Sequence, residues 1–281
     1  MIKVQNLAFS YTKKEYMTNI NFDVKDGEIF GFLGPSGAGK STLQKILTGV
    51  LSNYSGSVIV NDYEVKNANT DFYENIGVDF EFPSLYAKMS GEDNLKFFSS
   101  LYKKTLNPLE LLEKVGLQFD ASKKVSEYSK GMKSRLNFIK ALIHNPKTLF
   151  LDEPTSGLDP TNAKIMKEII LEEKAKGKTI ILTTHNMHDA AELCDRVAFI
   201  VDGEIKVIDT PRNLIMSRGA AMIEYTYKTK DTDKKTTIKL SETNNDTELQ
   251  NALKENRLLS IHSSEPNLND IFIEITGKTL Q

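Results

Sequence analysis

The sequence predicts an α/β domain with a largely parallel sheet, followed by a small α+β appendage. Three observations predict it. Strand-sized apolar runs alternate with helical segments between residues 148 and 201, the pattern of buried parallel strands joined by helical crossovers. A glycine-rich loop, Gly34 to Thr42, stands between an apolar strand and a helix. Composition shifts at residues 211–220, and the alternation stops there. A length of 281 residues suits two domains, at about 150 residues each.

Taken in order, "IKVQNLAFSY", "INFDV" and "EIFGFL" read as strands, with Asp26-Gly27 turning between the last two. The loop at 34–41 feeds a helix, "STLQKILTGV", that ends near Gly49. "GSVIV" and "NIGVDF" are further strands. From about residue 91 to 145 the pattern is helical, and in "EDNLKFFSSLYKK" Leu95, Phe98 and Tyr102 fall on one helical face. Then come "TLFLD", a helix over 161–176, "TIILTT", a helix through 187–194, "RVAFIV", and a hairpin strand in "DGEIKVID". "TPRNLIMSRGA" reads as a helix and a boundary, which sets the domains at 1–216 and 217–281. In the second, "MIEYTYKT", "KKTTIKL" and "LLSIHS" read as strands, and "DTELQNALKEN" and "NLNDIFIEITGK" as helices. "KTKDTDKK" reads as a solvated hairpin tip.

Composition excludes several classes. Lys and Arg number 36 against 38 Asp and Glu, a net charge of −2, so no basic footprint for nucleic acid is present. No stretch approaches the about 18 apolar residues of a membrane helix. "MIKVQNLAFSY" lacks a signal-peptide layout. A single cysteine, Cys194, cannot pair internally, which predicts a reducing, cytoplasmic setting. Cys194 itself reads as a small core residue. His144, His188 and His262 read as surface or capping residues without a role.

Two motifs carry chemistry. "GPSGAGKST" matches G-x-x-x-x-G-K-[ST]. Its glycines let backbone N–H groups curl around phosphate oxygens, Lys40 brings a mobile positive charge, and Ser41 is placed to ligate Mg²⁺. The following helix adds its N-terminal dipole. "TLFLDEPTSGLD" ends a buried strand in Asp152 and Glu153, delivering two acids to the carboxyl edge of the sheet where ligands bind. Asp152 is placed to hold Mg²⁺, and Glu153, pointing elsewhere, to polarise an attacking water.

Across residues 1–215 the chain resembles the ATP-binding subunit of an ABC transporter. Tyr11 in "FSYTKKE" resembles the aromatic that stacks on adenine. Gly34, Pro35, Ser36, Gly37, Ala38, Gly39, Lys40, Ser41 and Thr42 form its Walker A loop. "YSKGMKSRL" resembles the signature motif, with Ser129 and Gly131 at its key positions. "SGLD" resembles the D-loop, with Asp159, and "TTH" ends at His185, which resembles the switch histidine. The resemblance implies a P-loop NTPase: a RecA-like core, an antiparallel β subdomain, a helical signature subdomain at about 91–145, and here a small C-terminal α+β domain. It implies ATP hydrolysis by Glu153 with His185 and Lys40, ATP and Mg²⁺ as ligands, and a second cassette, identical or related, whose signature completes each site. A separate membrane permease would contact the transported substrate, and the chain would lie at the inner face of the cell membrane.

Departures matter as well. Tyr128, Lys130 and Met132 stand where the signature has Leu, Gly and Gln, and Lys130 reads as solvated. In "NIGVDFEFPSLYAKMSGEDNL" the position resembling the Q-loop glutamine is Glu81. A carboxylate there still ligates Mg²⁺ but adds negative charge near the γ-phosphate, so altered Mg²⁺ dependence is expected. Phe82, Leu85, Tyr86, Phe97, Phe98 and Tyr102 either pack the helical subdomain or line the groove that receives a coupling helix of the permease. "IGVDFEFPSLYAKMSGEDNL", "YSKGMKSRL" and the tail "SEPNLNDIFIEITGK" together resemble bacterial ABC-2 exporters of drugs, antimicrobial or toxic peptides, lipids or ions. The alternatives are a non-transport ABC ATPase and a nucleotide sensor. The appendage, residues 217–281, is expected to dimerise or regulate.

Overall fold

The computed structural model describes residues 1–12, 16–218, 222–229, 232–264 and 267–278. The chain forms β1 (Ile2–Phe9), β2 (Met17–Val24), β3 (Ile29–Leu33), α1 (Lys40–Leu47), β4 (Tyr54–Val60), β5 (Tyr63–Glu64), α2 (Thr70–Glu74), β6 (Ile76–Asp79), α3 (Gly91–Ser99), α4 (Pro108–Lys114) and α5 (Lys130–Leu142). It continues as β7 (Thr148–Asp152), α6 (Pro160–Ala175), β8 (Thr179–Thr184), α7 (Met187–Leu193), β9 (Arg196–Val201) and β10 (Glu204–Asp209). Then follow α8 (Pro211–Arg218), β11 (Met222–Lys228), β12 (Asp233–Lys239), α9 (Thr247–Lys254), β13 (Leu258–Ser264) and α10 (Leu268–Thr276).

A six-stranded sheet in the order β10-β9-β3-β8-β7-β6 organises the first unit. Its pairs are parallel except at the β10 edge. Every residue of β3, β7 and β8 is buried, as expected of strands covered on both faces. A second, antiparallel sheet has the order β2-β1-β4-β5. Phe22 of β2 stacks on Phe30 of β3 with ring centroids 5.7 Å apart, so one apolar core serves both sheets. Register pairs Leu33 and Thr184, and Asp152 and Thr183. The carboxyl ends of β3, β8 and β7 therefore finish level, and their loops share one edge.

The helical region is broken more than its periodicity suggests. Ser90 caps α3 by accepting from the Asp93 amide. The helix stops at Ser99, and the Ser100 hydroxyl bonds the Phe97 carbonyl at 2.6 Å, a local bond that competes with helix propagation. Leu95 is buried as expected, but Tyr102 lies beyond the helix. It stacks on His144 with ring centroids 3.8 Å apart and the rings nearly parallel. His144 is buried and its Nε2 bonds the Ile76 carbonyl at 2.8 Å, so the surface or capping reading of this histidine is wrong. Asn107 caps α4 with Pro108 just inside, the usual start signature. α5 lies directly on β6: a Cβ on Gly77 would sit 2.1 Å from the Ala141 carbonyl oxygen, which only glycine allows.

The second unit begins at Thr210, and the first spans Met1–Asp209. The break comes earlier than the expected 216/217, because α8 packs with α10. The antiparallel sheet β12-β11-β13 buries Ile223, Tyr225 and Tyr227 under Leu249 and Ala252 of α9. Asp246 caps α9 and also accepts the Tyr225 hydroxyl at 2.9 Å. β11 and β12 pair as a hairpin up to Lys228 and Asp233, while its tip at 230 and 231 lies outside the described residues. Among the described residues, no helix is long and apolar enough to cross a membrane.

Candidate nucleotide site

The edge shared by β3, β7 and β8 opens into a cavity of about 300 Å³. Tyr16, the run Ser36 to Thr42, Glu81, Asp152, Glu153, Ser156 and His185 line it. The phosphate loop leaves β3 and enters α1 through Gly39, whose φ of 112° is open to glycine and strained for other residues. Gly34 and Pro35 contribute through their carbonyls, which accept the Lys40 ammonium at 2.6 and 3.0 Å. Burial pushes Lys40 below its ordinary value, and the carboxylates of Glu153, Asp152 and Glu81 oppose that shift. The loop thus holds a cation on its own carbonyls, facing three acids.

Asp152 is buried and accepts the Thr183 hydroxyl from the neighbouring strand. Glu153 follows with φ 51°, the left-handed region that costs a residue with a Cβ roughly 1–2 kcal/mol. Its carboxylate takes different partners from that of Asp152. Its Oε1 accepts the His185 backbone amide at 2.9 Å and faces the His185 Nδ1 at 2.7 Å. Its Oε2 accepts the Thr184 hydroxyl at 3.1 Å. The carboxylate is therefore fixed by the end of β8, with the His185 ring 60 % exposed beside it.

Hard oxygen donors suit Mg²⁺, which usually takes one or two carboxylates together with phosphate oxygens. Ser41, Asp152 and Glu81 line the same cavity and offer such donors. Among the described residues no three His, Cys, Asp or Glu side chains are grouped to hold a metal. The donors fit an ion that arrives with nucleotide phosphates.

Three expected residues stand apart from this cavity. Ser129 is the N-cap of α5, accepting the Met132 amide at 3.2 Å. Gly131 is half-buried in the first turn, and a Cβ there would meet Leu158 at 3.4 Å. Asp159 is exposed and caps α6, accepting the Thr161 and Asn162 amides at 3.1 Å each. The Asn162 side chain, with these amides, holds its carboxyl below the usual range. None of the three lines the phosphate-loop cavity. Lys130 is exposed, as expected, with its side chain passing beside Gly157, whose added Cβ would be 3.4 Å from its Nζ.

Tyr11 is 58 % exposed, edge-on to Phe9, with its hydroxyl 2.9 Å from the Thr42 hydroxyl. It flanks the loop without lining the cavity. Sequence reasoning missed Tyr16, whose hydroxyl bonds the Gly37 carbonyl at 2.8 Å, and also Thr183 and Thr184, which fix the two acids. The threonines had a signal, since they precede His185 on the strand beside the acids. Tyr16 had none.

Comparisons agree with this geometry. A sequence profile of the ABC transporter family matches residues 17–156. A fluoroquinolones export ATP-binding protein of Mycobacterium tuberculosis is 46 % identical over all of this chain and 94 % of its own length. A lantibiotic transport ATP-binding protein of Streptococcus pyogenes is 40 % identical over 76 % of this chain and 94 % of its own. The solved structure of an ATP-binding subunit of an ABC transporter superposes with a TM-score of 0.71 at 28 % identity, covering 77 % of this chain and 92 % of that one.

Proposed function

The chain belongs to the ABC transporter family as the ATP-binding, ATP-hydrolysing subunit of an exporter, and we propose that it drives a drug or an antimicrobial peptide through a separate permease. One observation carries the site: Lys40, Asp152 and Glu153 converge on one cavity, with Glu153 locked by His185 and Thr184. In our reading the loop amides and Lys40 hold the ATP phosphates. Glu153 takes the proton of an attacking water, and His185 orients that carboxylate and stands toward the γ-phosphate. Ser41, Asp152 and Glu81 hold Mg²⁺, which when bound neutralises phosphate charge. Tyr11, exposed beside the loop, is available to stack on adenine.

Ser129, Gly131 and Asp159 lie outside this cavity, which supports a role toward the ATP of a second cassette. Head-to-tail packing of two copies, or of close relatives, gives two equivalent sites. Phe82, Tyr86 and Phe97 are exposed, and Tyr86, Phe97 and Phe98 pack as one aromatic cluster. We assign this patch to an amphipathic helix of the permease, which would hold the chain at the membrane face. The second unit would dimerise or regulate. The cargo class rests on the exporters named above. Membrane vesicles holding this chain and its permease test it. ATP-dependent uptake of a fluoroquinolone or a lantibiotic-type peptide, lost in Lys40→Ala, is expected. No uptake of either by vesicles that hydrolyse ATP refutes the cargo assignment.

A further inference from the structure

The short loop that carries Glu81 is tied on both sides to one helix, α5. Before Glu81, the Asn137 side-chain amide donates to the Asp79 carboxylate and, at 3.1 Å, to the Phe80 carbonyl. After it, the Lys140 ammonium donates to the Ser84 carbonyl at 3.4 Å. Lys140 also donates to the Asn137 Oδ1 at 2.6 Å, linking the two anchors, and lies 5.0 Å from the centre of the Phe98 ring. Asp79 and Asn137 are almost wholly buried. A buried amide whose carbonyl and N–H₂ are both engaged fixes its neighbours in one arrangement.

The same helix begins at Ser129. Asn137 lies eight residues on, about 12 Å along the axis, and Gly77 lets this stretch rest on β6 without a spacer. Glu81, Asn137 and Asp79 meet in a second cavity of about 270 Å³, which Asp152, Glu153 and Lys130 also line. The helix therefore contacts the nucleotide edge by its side and ends in the signature residues.

We propose that Asn137 and Lys140 are positioning residues for Glu81, clamping both flanks of its loop to α5 so that a displacement of the signature end is passed to that carboxylate. The inference rests on the reading of Glu81 as a group that faces Mg²⁺ and phosphate. Asn137 acts through the Phe80 carbonyl and Asp79, Lys140 through the Ser84 carbonyl and Asn137. Neither lines the phosphate-loop cavity.

A double-mutant cycle on ATP turnover separates positioning from mere support. The full chain, with its permease, is assayed as wild type, Glu81→Ala, Asn137→Ala and the double variant, each across a Mg²⁺ titration. Loss of three hydrogen bonds is expected to cost Asn137→Ala about tenfold in kcat, with KM for ATP within about twofold because the phosphate loop is untouched. In the Glu81→Ala background the same substitution should cost less than about threefold. Lys140→Met should behave as Asn137→Ala does, and Lys140→Arg should restore turnover by keeping both donors. Should Asn137→Ala not fold, the Lys140 pair, half-buried at the loop edge, carries the cycle with Glu81→Ala. Effects that multiply in full, while Glu81→Ala alone is impaired, overturn the clamp and leave the reading of Glu81 standing. A Glu81→Ala variant with wild-type turnover and Mg²⁺ curve overturns both.

Discussion

Glu153→Gln isolates the proposed base from the scaffold that holds it. The amide has the shape of the carboxylate, so it can keep the His185 amide on its oxygen and turn its N–H₂ toward the Thr184 hydroxyl, which now stand at 2.9 and 3.1 Å. The lost property is the capacity to take a proton. General-base assistance contributes about 10²–10⁴ in rate, which is about 3–5 kcal/mol of barrier at about 1.4 kcal/mol per tenfold. Binding should move the other way. Glu153 is the first of three carboxylates acting on Lys40, and removing one negative charge from a site for a polyphosphate cannot weaken attraction to it. The assay is single-turnover hydrolysis beside equilibrium binding of labelled ATP. A fall of at least about a hundredfold in rate, with ATP held as tightly as by wild type or more so, is expected. Turnover within about tenfold of wild type removes Glu153 as the base and favours a nucleotide sensor. An equal loss of binding would mean that the side chain holds the loop instead.

Three further substitutions and reactions probe the packing. Burial holds the Asp79 carboxyl up at about 7, with Lys140 and Asn137 pulling it down, against about 3.9 for a free aspartate. Between those pH values the folded state binds the extra proton, so this group's contribution to stability falls as pH rises and levels off above the folded value. Asp79→Asn removes that slope. Its unfolding midpoint relative to wild type should climb from about pH 5 to about pH 8, and a constant gap refutes the shift. Gly77→Ala drives a methyl against the Ala141 carbonyl at 2.1 Å and should cost about 1–3 kcal/mol in urea unfolding. Unchanged stability would mean α5 can lift off the sheet freely. Burial also pushes the Cys194 thiol up, so a thiol reagent at about pH 8 should leave the folded protein unmodified and react only after denaturant is added. Rapid labelling of the native chain would contradict that burial.

The phosphate loop and the two acids were legible because each is contiguous and set by its own strand. A five-residue buried strand leads to Gly34 and another to Glu153, and a parallel sheet does the rest. His185 was legible for the same reason, at the end of β8. Tyr16 was not: its hydroxyl reaches Gly37 only because β2 lies where it does. The bond from Asn137 to Asp79 joins residues 58 apart in sequence, and no local pattern announces it. The reading of Tyr102 as a helical face failed at a local competition, the Ser100 hydroxyl taking the Phe97 carbonyl. The domain break moved to 209/210 because α8 finds its partner, α10, some fifty residues later, and amphipathic periodicity cannot say which partner a helix will choose.

The left-handed turn at Glu153 sets stability and catalysis against each other. Glycine would adopt that backbone without steric penalty, so Glu153→Gly relieves the conformation while discarding the proposed base. A chain drifting under selection for folding alone would be drawn toward glycine at this position. If Glu153 is the base, a screen of random variants for thermal resistance should recover inactive proteins altered there.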